Sequence, residues 1–312
     1  MDMMITLGLL VLGFGLLIKG ADFFVDGAST VASFLKIPSV VVGLTIVAFG
    51  TSAPEAAVSV TAALNGSNAI AVSNVIGSNI FNLLAVLGCT SMLSRVPVPH
   101  SITKKEFPFL ILISGLMLGL IMTDYCLSRI DGLIFLAGII FYVAWLVKDA
   151  LKARDNMEVE EPKFTFPVSL GLIAIGILGI VFGGDLVVDS AQKIALALGM
   201  SEKLVGLTIV SVGTSLPELV TSLIAAKKGE VDIAVGNVVG SNVFNILFIL
   251  GSSATITPIA VEAALSFDLV VMMAATLLCF ALAKFSKDLD KKDALIMLAS
   301  FIAYMIYIVV RN

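Results

Sequence analysis

Shifted by 163 positions, the chain overlays itself. Gly20 to Gly88 aligns with Gly183 to Gly251 without a gap, and 35 of the 69 paired positions are identical. Two blocks carry most of the identity. Gly43-LTIVAFGTSAP-Glu55 faces Gly206-LTIVSVGTSLP-Glu218, and Asn74-VIGSNIF-Asn82 faces Asn237-VVGSNVF-Asn245. A duplication of this size restricts the fold to two copies of one unit, so the open question is how the copies are oriented.

Composition answers it. Of the 312 residues 59% are hydrophobic and 13% charged, against about 25% charged in soluble domains, and the mean hydropathy is +1.08. A chain of this kind is solvated mainly by lipid, and at roughly 20 to 25 residues per crossing its length allows about ten crossings. Apolar runs between breakers give ten segments: 3–31, 38–64, 69–94, 107–123, 130–150, 167–198, 203–226, 231–257, 264–284 and 293–310. Each copy contains five of them, an odd number, so the second copy enters the membrane inverted. The expected fold is an all-α polytopic membrane protein: ten transmembrane helices in two inverted five-helix repeats, with discontinuous helices at an ion site. The first unit spans 1–150 with its motif at 43–82, and the second spans 167–312 with its motif at 206–245. Residues 151–166, with Glu158, Glu160 and Glu161, form a hydrophilic linker without a fold of its own.

Basic residues orient the helices. With both ends of the chain outside, the cytoplasmic connections hold 14 Lys and Arg residues: Lys36, Arg95, Lys104, Lys105, Lys148, Lys152, Arg154, Lys163, Lys227, Lys228, Lys284, Lys287, Lys291 and Lys292. The other side holds 4, namely Arg129, Lys193, Lys203 and Arg311, and Lys19 lies inside the first segment. The reading is a multi-pass membrane protein with extracytoplasmic termini. The first apolar stretch runs into Lys19, Asp22 and Asp26 rather than a small-residue cleavage site, and reads as a retained helix. A net charge of −4 offers no general basic surface for nucleic acid. Cys89, Cys126 and Cys279 are scattered in apolar segments, which suggests neither a disulfide framework nor a thiolate site. His100 is the single histidine, and one imidazole cannot build a multi-histidine metal site. No cofactor and no obligatory protein partner is indicated, and the bilayer is the surrounding that the composition implies.

In the first block Gly50, Thr51, Ser52 and Pro54 fall in the middle of an apolar helix. Pro54 removes an N–H and crowds the carbonyl one turn back, so the helix kinks or breaks there. Glu55 follows at the start of the second half-helix, where the dipole favours an anion. Gly213, Thr214, Ser215, Pro217 and Glu218 repeat the arrangement. The second blocks add Asn74, Ser78, Asn79 and Asn82, with Asn237, Ser241, Asn242 and Asn245. A mid-membrane glutamate costs about 2.5 to 3.5 kcal/mol on insertion scales and is a functional candidate by default. A small-residue pattern or a Thr-Ser pair alone is more often packing or helix back-bonding. Two carboxylates with hydroxyl, carboxamide and freed carbonyl oxygens suit hard cations such as Ca²⁺ and Na⁺. Asp22 and Asp26, matched by Asp185 and Asp189, lie four apart on one helix face near the membrane boundary; they fit either solvated carboxylates or an access pathway. An intramembrane enzyme is the competing class, and the chain lacks a GxGD sequence, a His and Glu metal motif and any nucleotide loop.

The motifs GTSAPE with SNVIGSNIFN, and GTSLPE with GNVVGSNVFN, resemble the two repeat motifs of the cation/Ca²⁺ exchanger superfamily, in its prokaryotic Na⁺/Ca²⁺ exchanger branch. The resemblance covers essentially the whole chain. It implies ten helices, with the long slanted first and sixth sliding past a more fixed core. It places Ca²⁺ ligands on Glu55 and Glu218 with backbone oxygens of Thr51 and Thr214. For Na⁺ it implies these glutamates with Ser52, Ser78, Ser215 and Ser241 and carbonyls near Ala48 and Ser211, around a central pair Asn82 and Asn245. Some archaeal members and the K⁺-dependent branch have Asp where this chain has Asn245, which favours K⁺-independent exchange. The implied function is an Na⁺/Ca²⁺ antiporter, electrogenic at three Na⁺ per Ca²⁺. A Ca²⁺/H⁺ antiporter is the alternative on the same fold.

Overall fold

The computed structural model describes residues 3–65, 68–154, 161–200, 211–286 and 288–311. Glu158 and Glu160 of the linker, Lys203, Lys287 and residues 206–210 of the second motif lie outside the described residues.

Eight helices are long and apolar enough to cross a membrane, and one bent pair makes nine among the described residues. In chain order they are α1 (Met3–Leu35), the bent pair α2 (Ser39–Thr51) and α3 (Ala53–Leu64), α4 (Ile70–Leu93), α5 (Ile102–Asp124), α6 (Arg129–Ala153), α7 (Phe166–Ala197), α9 (Val231–Ile256), α10 (Ser266–Phe285) and α11 (Lys291–Arg311). The label α8 belongs to Leu216–Lys227, the described end of the seventh expected segment. Helix ends follow local chemistry. Ser128 caps α6 by accepting from the Asp131 amide at 3.3 Å while Asp131 accepts from the Ser128 amide at 2.8 Å, a reciprocal capping box. Tyr125 ends α5 in a left-handed conformation.

Two short ladders reveal how the repeats are related. Strand β1 (Val96–Pro97) pairs antiparallel with β4 (Asp288–Leu289), and β2 (Cys126–Leu127) pairs with β3 (Ile259–Ala260). Helix α5 runs from the first ladder to the second, whereas its repeat equivalent α10 runs from the second to the first. The two are antiparallel, which is the inversion expected from five crossings per copy. The long pair α1 and α7 behaves the same way. A Cβ on Gly13 would meet Gly183 O at 3.0 Å, one on Gly20 would meet Gly176 O at 2.8 Å, and one on Gly27 would meet Ser169 O at 2.7 Å. The partner number falls as the residue number rises, so the helices cross in opposite directions. Small residues permit this approach where lipid gives helices no hydrophobic drive to associate.

Burial separates scaffold from lipid-facing shell. The most apolar window of α9 is 94% buried and that of α4 78% buried, against 22% for α1, α6, α7 and α11. Apolar side chains such as Leu112, Ile140, Phe182 and Val310 stay exposed, the surface that acyl chains would cover. The central helices α4 and α9 carry the second block of each repeat, and both contain a π-helical turn, at Phe81–Val86 and Asn245–Leu250. A π-turn re-aims side chains within a helix and is frequent at functional sites.

Candidate ion site at the crossing of the repeats

The predicted break is present in both copies. Helices α2 and α3 meet at a bend of 50°, with Ser52 at φ −83°, ψ 10° and Pro54 in the first turn of α3. Ser215 repeats the geometry at φ −93°, ψ 6°, with Pro217 in the first turn of α8. Each break sets a glutamate in the first turn that follows it. Glu55 and Glu218 are both fully buried, and so are Ser52, Ser215, Ser78, Ser241, Asn82 and Asn245.

The hydrogen bonds cross between repeats. Ser52 Oγ of the first copy donates to Glu218 Oε1 of the second at 2.7 Å, and Ser215 Oγ of the second donates to Glu55 Oε1 of the first at 2.8 Å. Ser241 Oγ lies 3.3 Å from Glu218 Oε1, and Ser78 Oγ 3.0 Å from Ser215 Oγ. Each break is therefore completed by the carboxylate of the other. Thr51 Oγ1 donates toward Asn237 Oδ1 at 3.0 Å, and Thr214 Oγ1 toward Asn74 Oδ1 at 3.4 Å. The amides of these asparagines donate to Ser222 and Ser59, each at 3.0 Å, and reach the main-chain oxygens of Glu218 and Glu55 at 3.4 and 3.5 Å. Both threonine hydroxyls are thereby engaged, which leaves their carbonyls as the groups that could face a cation. Asn74 and Asn237 belong to the candidates read from the sequence, whereas Ser59 and Ser222 do not. Identity between the copies at positions 59 and 222 is the signal that could have found them.

What remains unsatisfied is informative. Glu55 Oε2, Glu218 Oε2, Asn82 Oδ1 and Asn245 Oδ1 are buried oxygens with no hydrogen-bond partner. Asn245 Nδ2 is held by Asn79 Oδ1 at 3.0 Å. Buried acceptors left unpaired are costly and rare, and four of them, two from each repeat, fit hard cations, which bind through oxygen alone. Among the described residues no group of three or more His, Cys, Asp or Glu could hold a metal, so any cation here is bound by two carboxylates and neutral oxygens. Of the remaining expected positions, the Ala48 carbonyl accepts the Ser52 amide at 3.0 Å, and Ser211 opens a short helical turn, Ser211–Gly213.

The four aspartates divide. Lys228 Nζ pairs with Asp22 Oδ1 at 2.7 Å and with Asp26 Oδ1 at 2.8 Å. Asp185 and Asp189 instead line a cavity of about 640 Å³ that reaches Gly213, Thr214 and Pro217 at one break and Ala53 and Pro54 at the other.

Inverted repeats whose broken helices exchange buried carboxylate partners define a secondary-transporter architecture. Comparison with known proteins makes the assignment specific: the chain belongs to the sodium/calcium exchanger protein family, whose model matches residues 5–148 and 168–310. It is 41% identical over 316 residues to CaxA of Alkalimonas amylolytica, covering 97% of this chain and 98% of that one. It is 30% identical to the sodium/calcium exchanger MaX1 of Methanosarcina acetivorans, covering 97% and 99%. Solved structures of the sodium-calcium exchanger NCX_Mj superpose with a TM-score of 0.84 at 33% identity over 96% of this chain and 97% of that one.

Proposed function

We infer that the protein is a secondary antiporter that exchanges Na⁺ for Ca²⁺ through the crossed glutamate site. The carrying observation is the set of four unpartnered buried oxygens, on Glu55, Glu218, Asn82 and Asn245. We propose as ligands these four side chains with the hydroxyls of Ser52, Ser78, Ser215 and Ser241 and the carbonyls of Thr51, Thr214, Ala48 and Ser211. The mechanism follows from charge. Two carboxylates neutralise one Ca²⁺ and are exceeded by one charge when three Na⁺ share the same oxygens, so the two loads compete and alternate. Exchange at that ratio moves net charge and responds to membrane potential at about 2.3 kcal/mol per charge per 100 mV. The serines that bond the glutamates from the opposite repeat make occupancy of one half-site felt in the other.

The domain reading is two functional units, 1–150 and 167–312, joined by a cytoplasmic linker at 151–166. Met3 at the start of α1 and Arg311 at the end of α11 then lie on the extracytoplasmic side of a prokaryotic inner membrane. The decisive experiment is uptake of radiolabelled Ca²⁺ into proteoliposomes loaded with Na⁺. Uptake that follows the Na⁺ gradient and is altered by a clamped potential supports the reading. Uptake indifferent to Na⁺ and driven by a pH gradient reassigns the protein as a Ca²⁺/H⁺ antiporter.

A further inference from the structure

The aspartates that the duplication repeats are equivalent in sequence and different in surroundings. Between Asp22 and Asp26 sits Lys228, which also donates to the Asp22 main-chain oxygen at 2.8 Å. All three ammonium donors are thereby used. Two residues on, Glu230 accepts from Ser29 Oγ of α1, so the α8–α9 connection is tied to α1 twice. The position equivalent to Lys228 in the other copy is Asn65, which carries no charge. Among the described residues Asp185 and Asp189 have no cationic partner, and room for water opens beside them down to both helix breaks.

Inverted repeats exchange access by swapping the conformations of their two halves. The two membrane faces are then equivalent except where substitutions break the symmetry, and position 65/228 is such a substitution. It puts a tethered cation on the aspartate pair at one face and leaves the twin pair open at the other. The ion pairs are partly exposed, with Lys228 at 22% and the aspartates at 32% and 26%. They are strong enough to bias an equilibrium and weak enough to break in each cycle.

We propose that Lys228 determines the sidedness of transport: held between Asp22 and Asp26, it latches α1 to the α8–α9 connection and keeps that face shut while the face bearing Asp185 and Asp189 is open. In the orientation given above the latched face is cytoplasmic. The proposal rests on the exchanger reading for the existence of two alternating faces, and the latch must release before ions leave or enter on its side.

The test uses twin reporters that do not depend on which ion is carried. Cys89, Cys126 and Cys279 are replaced by Ala, and Ala57→Cys, which lines the open cavity, or its repeat equivalent Val220→Cys is introduced. Labelling by a membrane-impermeant maleimide is timed from each face in sealed vesicles. Lys228→Asn lowers the rate at Ala57→Cys and raises it at Val220→Cys, shifting their ratio about fivefold, the population change that two partly exposed ion pairs can hold. The Asp22→Asn, Asp26→Asn double variant gives the same shift and Lys228→Arg gives none. An unmoved ratio, or both rates moving together, overturns the latch even with Na⁺-driven Ca²⁺ flux intact. A shifted ratio without Na⁺-driven flux keeps the latch and removes the exchanger reading.

Discussion

Substituting Ala for Gly183 tests whether α1 and α7 touch as closely as described. A Cβ there would stand 2.5 Å from Leu17 N, 2.8 Å from Gly13 O and 2.9 Å from Leu17 Cα, while ordinary contact begins near 3.4 Å. The obstructing atoms are backbone on both sides, so no rotamer change relieves the overlap. The two helices must separate by roughly 0.9 Å locally, or unpack, at a cost of about 1 to 3 kcal/mol. For a chain of this size that corresponds to a fall in the unfolding midpoint of about 2 to 8 °C, read by thermal unfolding of the purified protein in detergent. Gly20→Ala, the repeat equivalent, should match it, since its Cβ would meet Ile180 N at 2.7 Å and Gly176 O at 2.8 Å. Gly171→Ala is the control, because nothing lies within 4 Å of its Cβ. Wild-type midpoints in Gly183→Ala and Gly20→Ala would refute a close α1–α7 seam, and with it the antiparallel pairing that the glycines define.

Glu55→Gln and Glu218→Gln each abolish Na⁺-driven Ca²⁺ uptake while leaving the unfolding midpoint near wild type, because each removes charge at constant volume; wild-type flux in both would discard the site. Ser52→Ala removes the 2.7 Å bond to Glu218 and leaves the longer 3.3 Å contact from Ser241. Hydrogen bonds to charged groups are worth about 1.5 to 3 kcal/mol, so the half-saturating Na⁺ concentration rises at least about tenfold in titrations of exchange, and an unchanged value would mean the crossed bond plays no part. Asn245→Asp puts a third carboxylate in place of one of the four unpartnered oxygens; Ca²⁺ binds more tightly in calorimetry and the maximal exchange rate falls as release slows, whereas weaker Ca²⁺ binding would place Asn245 outside the ion shell.

Much of this was legible in one dimension because it depends on local chemistry. Pro54 and Pro217 break helices wherever they stand in an apolar run, so the breaks at Ser52 and Ser215 follow from residue type. Parity follows as simply: five crossings per copy dictate inversion, and α5 and α10 run antiparallel between the two ladders. The described helices reproduce the expected segments closely, with α1 extending to Leu35 and α5 starting at Ile102. The extension of α5 carries the polar residues Lys104 and Glu106, which hydropathy assigns to a connection and which the fold holds in the helix.

Self-comparison of the chain thus determined by itself the two-copy plan, the breaks and the identity of the buried carboxylates. Tertiary structure alone decided who meets whom. Residues 52 and 218 are 166 apart in sequence, and no periodicity relates them, so the exchange of Ser52 and Ser215 between Glu218 and Glu55 arises only when antiparallel repeats are superposed in space. The unpartnered oxygens belong to the same category, since satisfaction is a property of neighbours and not of residue type. The division of four matched aspartates into a latched pair and an open pair needed both levels. Sequence supplied an asymmetric residue, Lys228 against Asn65, and the fold carried its ammonium to two carboxylates more than two hundred positions away.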